Sequence, residues 1–269
     1  MAEWTQGDVL TNGIRMHYYR TGHGDKPPLV LCHGGSDSGL CWSPVARDLE
    51  DEYDIIMIDA RNHGLSESPR GDSGPQDQSE DLAGLIRALG LERPTVMGHS
   101  MGGGAALQLA ANHPDLVGRV ILEDSGAVDF DPARFTSETR ARMFEWMRGL
   151  KNKSREDVMA MGREQSPTWS EEELGPWADS KLQVNVDAMS RYTPVSEPWR
   201  EVFARVQCPL LLIIADNDRG AMVTPELAEE ATRLNSNVRF VHVPGAGHNI
   251  RRENYGAFME AVRAFLAEG

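Results

Sequence analysis

Apolar residues recur along this chain in two alternating patterns. Short apolar runs lie at Pro28 to Cys32, Ile55 to Ile58, Pro94 to Met97, Val117 to Leu122, Leu210 to Ile214 and Val238 to Val243. Most lack polar alternation, which predicts strands covered on both faces. Between them lie segments of helical spacing. Leu82, Leu85, Ile86 and Leu89 mark one over Asp81 to Leu89, and others are expected over 41–49, 103–112, 225–234 and 255–266. Upstream, Asp8 to Thr11 and Ile14 to Arg20 flank Asn12-Gly13, a strong hairpin signal. Asn62 to Glu80 is rich in Gly, Ser, Pro and Asp and reads as a surface loop. The alternation predicts an α/β fold with a mostly parallel central sheet and helices on both faces.

The pattern breaks between about Asp129 and Glu201. No central strand is evident there, and helix-like pieces carry many Met, Trp and Phe residues. An insertion this long inside a compact fold calls for a function. It is expected to be a helical cap inserted after the sixth strand, over residues 129–201, with the core built from 1–128 and 202–269. Most of its bulky residues should pack in the cap itself. The rest should line an apolar substrate pocket, with Met143, Trp146 and Met147 as candidates and Trp42 joining them from the core.

Composition narrows the field. The 269 residues are 40% hydrophobic and 25% charged, with a net charge of −14. That suits a soluble globular protein and argues against a nucleic-acid partner. Met1 to Gln6 lacks a basic segment followed by an apolar one, and no run of about eighteen apolar residues is present. Cys32, Cys41 and Cys208 are too few and too odd in number for a disulfide framework. A cytoplasmic protein without membrane attachment is expected. No metal-ligand spacing and no phosphate-binding loop is present, so no cofactor is expected.

One motif supplies chemistry. Gly98-His99-Ser100-Met101-Gly102 follows a strand and opens a helix. A sharp turn of this kind strains the central residue and lifts its hydroxyl above the sheet. The glycines are needed because the chain passes close to itself there. A serine nucleophile needs an oxyanion hole, a base and an acid that orients the base. His33-Gly34-Gly35-Ser36 leaves a buried strand, and its glycines leave backbone N–H groups free to face a ligand. Gly35 and Met101 are the expected donors. Of eight histidines, His248 in Pro244-Gly245-Ala246-Gly247-His248 follows the last strand and is the expected base. His242 is its neighbour but lies within the strand. His33 and His63 suit loop bracing. The acid is read as Asp218 in Ala215-Asp216-Asn217-Asp218, with Asp216 second and Glu123 or Asp124 as a third placement. The resulting order, Ser100 then Asp218 then His248, is that of one large family.

Through these pieces, together with Asp59-Ala60-Arg61-Asn62-His63-Gly64-Leu65-Ser66 and Asn112-His113-Pro114, the chain resembles the α/β-hydrolase superfamily over nearly its whole length. It is most similar to small capped esterases, lactonases, cofactor-free perhydrolases and carbon–carbon bond hydrolases. The resemblance maps the acid onto Asp218 and the oxyanion donors onto Gly35 and Met101. It departs at Asn62, where glycine is common, and at Gly35, where a bulky residue is common. The implied activity is hydrolysis of a small-molecule ester or lactone with an apolar acyl part, through a Ser-His-Asp triad and an acyl-enzyme. The same triad serves carbon–carbon hydrolysis and perhydrolysis. A non-catalytic receptor on this fold need not keep every part of it.

Overall fold

The computed structural model describes residues 4–129, 136–193 and 197–268; residues 130–135 and 194–196 of the expected cap, and the terminal residues 1–3 and 269, lie outside them. The frame is one sheet of eight strands: β1 (Thr5–Thr11), β2 (Ile14–Arg20), β3 (Pro28–Cys32), β4 (Asp54–Ile58), β5 (Thr95–His99), β6 (Arg119–Glu123), β7 (Leu210–Ile214) and β8 (Val238–His242). Their spatial order is β1-β2-β4-β3-β5-β6-β7-β8. The first hairpin is antiparallel, with Thr11 opposite Ile14. It turns on Asn12 and Gly13, both left-handed (φ 43° and 76°), as a tight hairpin requires. β2 also runs antiparallel to β4, and the pairings from β4 across to β8 are parallel.

The helices are α1 (Ser43–Leu49), α2 (Pro75–Ala88), α3 (Met101–Asn112), α4 (Ser137–Leu150), α5 (Arg155–Gln165), α6 (Glu171–Gln183), α7 (Val186–Met189), α8 (Trp199–Arg205), α9 (Pro225–Leu234), α10 (Ile250–Glu253) and α11 (Tyr255–Leu266). The two-residue period of a strand sends alternate side chains to opposite layers. Val30, Cys32, Ile56 and Ile58 join the layer of α2, α3, α8 and α9. Leu29, Leu31, Ile55 and Met57 join that of α1 and α11. Each fully buried Leu or Ile contributes about 1.5–3 kcal/mol.

Two differences from the sequence reading have local causes. α2 begins at Pro75, inside the expected loop, because proline at the first helical position lacks only a donor the helix would not use. Asp77 then accepts from the Gly74 N–H at 2.9 Å. At the far end of the cap segment, α8 packs its Trp199, Val202 and Phe203 into the core layer beside α3. The preceding helices form two small clusters of their own, one around Phe144, Met147, Val184, Val186 and Met189, the other around Leu150, Val158, Trp177 and Ala178.

α6 is pinned to the loops at the carboxyl ends of the strands by buried ions. Lys181 Nζ donates to Asp37 at 2.8 Å and Arg252 Nε donates to Glu173 at 2.9 Å. Burial opposes the Asp37 charge, but Arg252, Lys181 and Arg251 outweigh it and hold its carboxyl well below the usual range. Among the described residues, no helix is long and apolar enough to cross a membrane.

Candidate active site

Ser100 stands alone between β5 and α3 with φ 49° and ψ −114°. Such a conformation stores roughly 1–3 kcal/mol of strain. The surroundings enforce it. The Ser100 N–H donates to the Glu123 carbonyl at 3.2 Å, and Ser125 Oγ donates to the Ser100 carbonyl at 2.6 Å. A Cβ at Gly98 would lie 2.4 Å from the Gly102 carbonyl oxygen, and one at Gly102 would lie 2.4 Å from that of Cys32. Only glycine fits either place.

Ser100, Gly35 and Met101 all line one cavity of about 470 Å³. No described backbone carbonyl accepts from the N–H of Gly35 or Met101. Two buried histidines shape the Gly35 loop. His33 Nδ1 donates to the Gly34 carbonyl at 2.8 Å while its Nε2 accepts from the Ala60 N–H at 3.0 Å. His63 Nδ1 donates to the Arg61 carbonyl at 2.8 Å while its Nε2 accepts from the Ser36 N–H at 3.1 Å. Both must be neutral to accept, and burial pushes His33 down to about 4 and His63 down to about 3. The departures at Gly35 and Asn62 now have physical reasons. Met189 of α7 fills the space beside Gly35, where a Cβ would lie 3.1 Å from its methyl. Asn62 takes a left-handed φ of 71°, which asparagine tolerates.

His248 is held from two sides. Its Nδ1 donates to Asp124 Oδ2 at 2.6 Å. Its carbonyl accepts from His99 Nε2 at 2.9 Å, and the two rings lie 4.7 Å apart. The His99 ring is therefore the bearing on which the His248 loop rests, a role its place next to Ser100 did not reveal. Burial, then the neighbouring His248, keeps His99 well below the ordinary histidine range and so neutral.

The partner of His248 is Asp124, not Asp218, and this corrects the sequence reading. Asp124 is wholly buried at the end of β6 with φ 44°. Its remaining carboxylate capacity is met by the N–H groups of Met222 (2.8 Å) and Val223 (2.9 Å) from the segment after β7. Asp218 lies exposed in a short 3-10 turn (Asn217–Arg219). Asp216 is used elsewhere: it pairs with His242 at 2.8 Å and accepts from the Gly245 N–H at 2.7 Å. Glu123, the other β6 carboxylate, is fully buried against Arg251 at 2.7 Å. That ion pair ties the residue before Asp124 to the helix that follows His248.

The expected lining residues are also corrected. Trp42 is fully buried in the opposite layer, under the Arg251 guanidinium at 4.1 Å. Met147 packs inside the cap cluster, while Met143 and Trp146 are 44% and 37% exposed. None borders the cavity, whose walls come instead from α3, α7, α8 and the segments beside them, including Met189, Tyr192 and Trp199.

Comparisons with known proteins agree with this architecture. A family profile for the alpha/beta hydrolase fold matches residues 27–254. N-formylmaleamate deformylase of Pseudomonas putida is 29% identical over 266 residues, covering 97% of this chain and 96% of that protein. The 2-(acetamidomethylene)succinate hydrolase of Mesorhizobium japonicum is 24% identical, covering 90% of this chain and 89% of that protein. The enol-lactonase structure from Burkholderia xenovorans superposes with a TM-score of 0.80 at 25% identity, covering 97% of this chain and 100% of that one.

Proposed function

The chain belongs to the α/β-hydrolase family, and from that premise we propose that it is a serine hydrolase of small carboxylic esters or lactones, working through Ser100, His248 and Asp124. The observation that carries this reading is the 2.6 Å bond from His248 to a buried Asp124, on a loop resting against the residue before Ser100. With Nδ1–H given to Asp124, the bare Nε2 is the nitrogen that takes the Ser100 proton. Ser100 Oγ then attacks the carbonyl, and the N–H groups of Gly35 and Met101 stabilise the oxyanion. His248 returns the proton to the leaving alcohol. The resulting acyl-serine is cleared when His248 activates water, which regenerates Ser100 and releases the acid. Asp124 holds the imidazole tautomer and stabilises its charged form throughout.

A second reading, cleavage of an activated amide, is favoured by the deformylase and acetamidomethylene hydrolase relatives, which match nearly end to end. Both readings use the same acyl-enzyme and differ only in the leaving group. The test is acid release in a pH-stat with short and long acyl esters, an acyl lactone and an N-formyl amide, using wild type beside Ser100→Ala. Ester or lactone turnover that vanishes in the variant is expected. Turnover of the amide alone favours the second reading, and no Ser100-dependent turnover on any of them overturns both.

A further inference from the structure

We propose that the cavity running from Ser100 between α3 and α8 receives an uncharged hydrocarbon arm of the substrate, and that Gly104 sets how long that arm can be. This rests on the serine-hydrolase reading above. One wall is a face of α3, with Met101, Gly104, Leu107 and Gln108 lining the cavity. At 1.5 Å of rise per residue, Met101 to Gln108 spans about 10 Å. That is room for a medium-length chain leading away from Ser100. Trp199 and Val202 of α8, with Met189, face it.

The charged groups at the far end are already paired. Glu197 accepts from Gln108 at 3.0 Å and from Arg205 at 2.9 Å. Asp129 accepts from the Trp199 indole at 2.8 Å and from Arg200 at 2.6 Å. A charged ligand group placed beside them would compete with these pairs, whereas an alkyl chain displaces only water.

Gly104 differs from the glycines beside it. A Cβ at Gly102 would lie 2.4 Å from backbone, and one at Gly103 would lie 2.6 Å from Ser125. A Cβ at Gly104 would meet nothing within 4 Å. Glycine weakens a helix relative to alanine, and no packing contact requires it at this position. Its missing side chain leaves open the stretch of cavity about one helical turn beyond Met101.

The experiment measures kcat/KM for two neutral series, p-nitrophenyl acyl esters and alkyl acetates, from short to long chains. Wild type is compared with Gly104→Ala and Gly104→Leu. In at least one series, Gly104→Leu should lose about tenfold or more on the octyl or octanoyl member, the scale of at least one displaced methylene, and less than about twofold on the shortest. Gly104→Ala should fold with an unchanged or raised melting temperature, which separates a blocked channel from a damaged helix. A loss equal across chain lengths in both series, or no loss on long chains in either, overturns the role of Gly104. Wild type should also prefer the octanoyl ester to its ω-carboxylate analogue by about tenfold or more; equal rates overturn the uncharged specificity. Absence of wild-type turnover on every ester and lactone counts instead against the underlying hydrolase reading.

Discussion

The turns that leave β6 and β7 both offer carboxylates to the catalytic edge of the sheet, and the two sets meet different surroundings. Asp124 at β6 is buried, accepts two backbone N–H groups and faces the His248 ring. Asp218 after β7 is exposed, and its neighbour Asp216 fastens His242 and Gly245. The β7 turn still contributes, by donating the Met222 and Val223 N–H groups that fix the Asp124 carboxylate. In the proposed triad the orienting acid is marked by a dry, fully hydrogen-bonded carboxylate rather than by its place in chain order. Ser100, Asp, His248 is the order whichever turn supplies the acid.

The sharpest way to break this comparison is Asp124→Asn. It should lower kcat by about 10⁴ through loss of the correct imidazole tautomer, in steady-state assays on protein whose circular dichroism is unchanged. Next comes Glu123→Ala, which takes the nearer carboxylate away from the buried Arg251 and leaves it only Asp37 at 3.6 Å. It should lower stability by about 3–5 kcal/mol in urea unfolding, whereas Glu123→Gln, which keeps a polar partner for Arg251, should lower it less.

Acid should weaken the buried turns at the carboxyl ends of β3, β4 and β5. His33, His63 and His99 are held neutral by burial, with His33 at about 4 and His63 at about 3, while unfolded histidines titrate near about 6.5. The folded values lie below the unfolded one, so this stability is complete above about pH 6.5 and is lost as pH falls toward about 4. The unfolded chain binds up to three more protons than the fold near pH 5, a slope of up to about 4 kcal/mol per pH unit. Melting temperatures across pH 4–7 check it. Asp216→Asn should have a smaller effect, about 1 kcal/mol of stability and a few-fold in rate. Asp218→Asn should change neither stability by more than about 0.5 kcal/mol nor rate by more than about twofold.

Most of the strands and the tight glycine-flanked turn at Ser100 were legible in the sequence because their causes are local. An unbroken apolar run reads as a doubly covered strand, and Gly98 and Gly102 announce a close backbone approach. The loop that carries His248 was legible for the same reason, being glycine-rich and directly after the last strand. Asp124 was not, because what separates it from Asp218 is burial and N–H donors from a segment about a hundred residues away in sequence. The start of α2 was obscured by Pro75, which marks a loop or a first helical position equally well. The cap residues failed differently. A Trp or Met has the same signature facing a cavity, as Trp199 does, a cap core, as Met147 does, or solvent, as Trp146 does.

The most direct test is the rate at which a p-nitrophenyl organophosphate labels wild type, Asp124→Asn and Asp218→Asn, followed by intact mass and by mapping of the modified peptide. The account predicts one adduct on Ser100, formed at the wild-type rate in Asp218→Asn and orders of magnitude more slowly in Asp124→Asn. Labelling away from Ser100, or slow labelling in Asp218→Asn with Asp124→Asn unaffected, would contradict it.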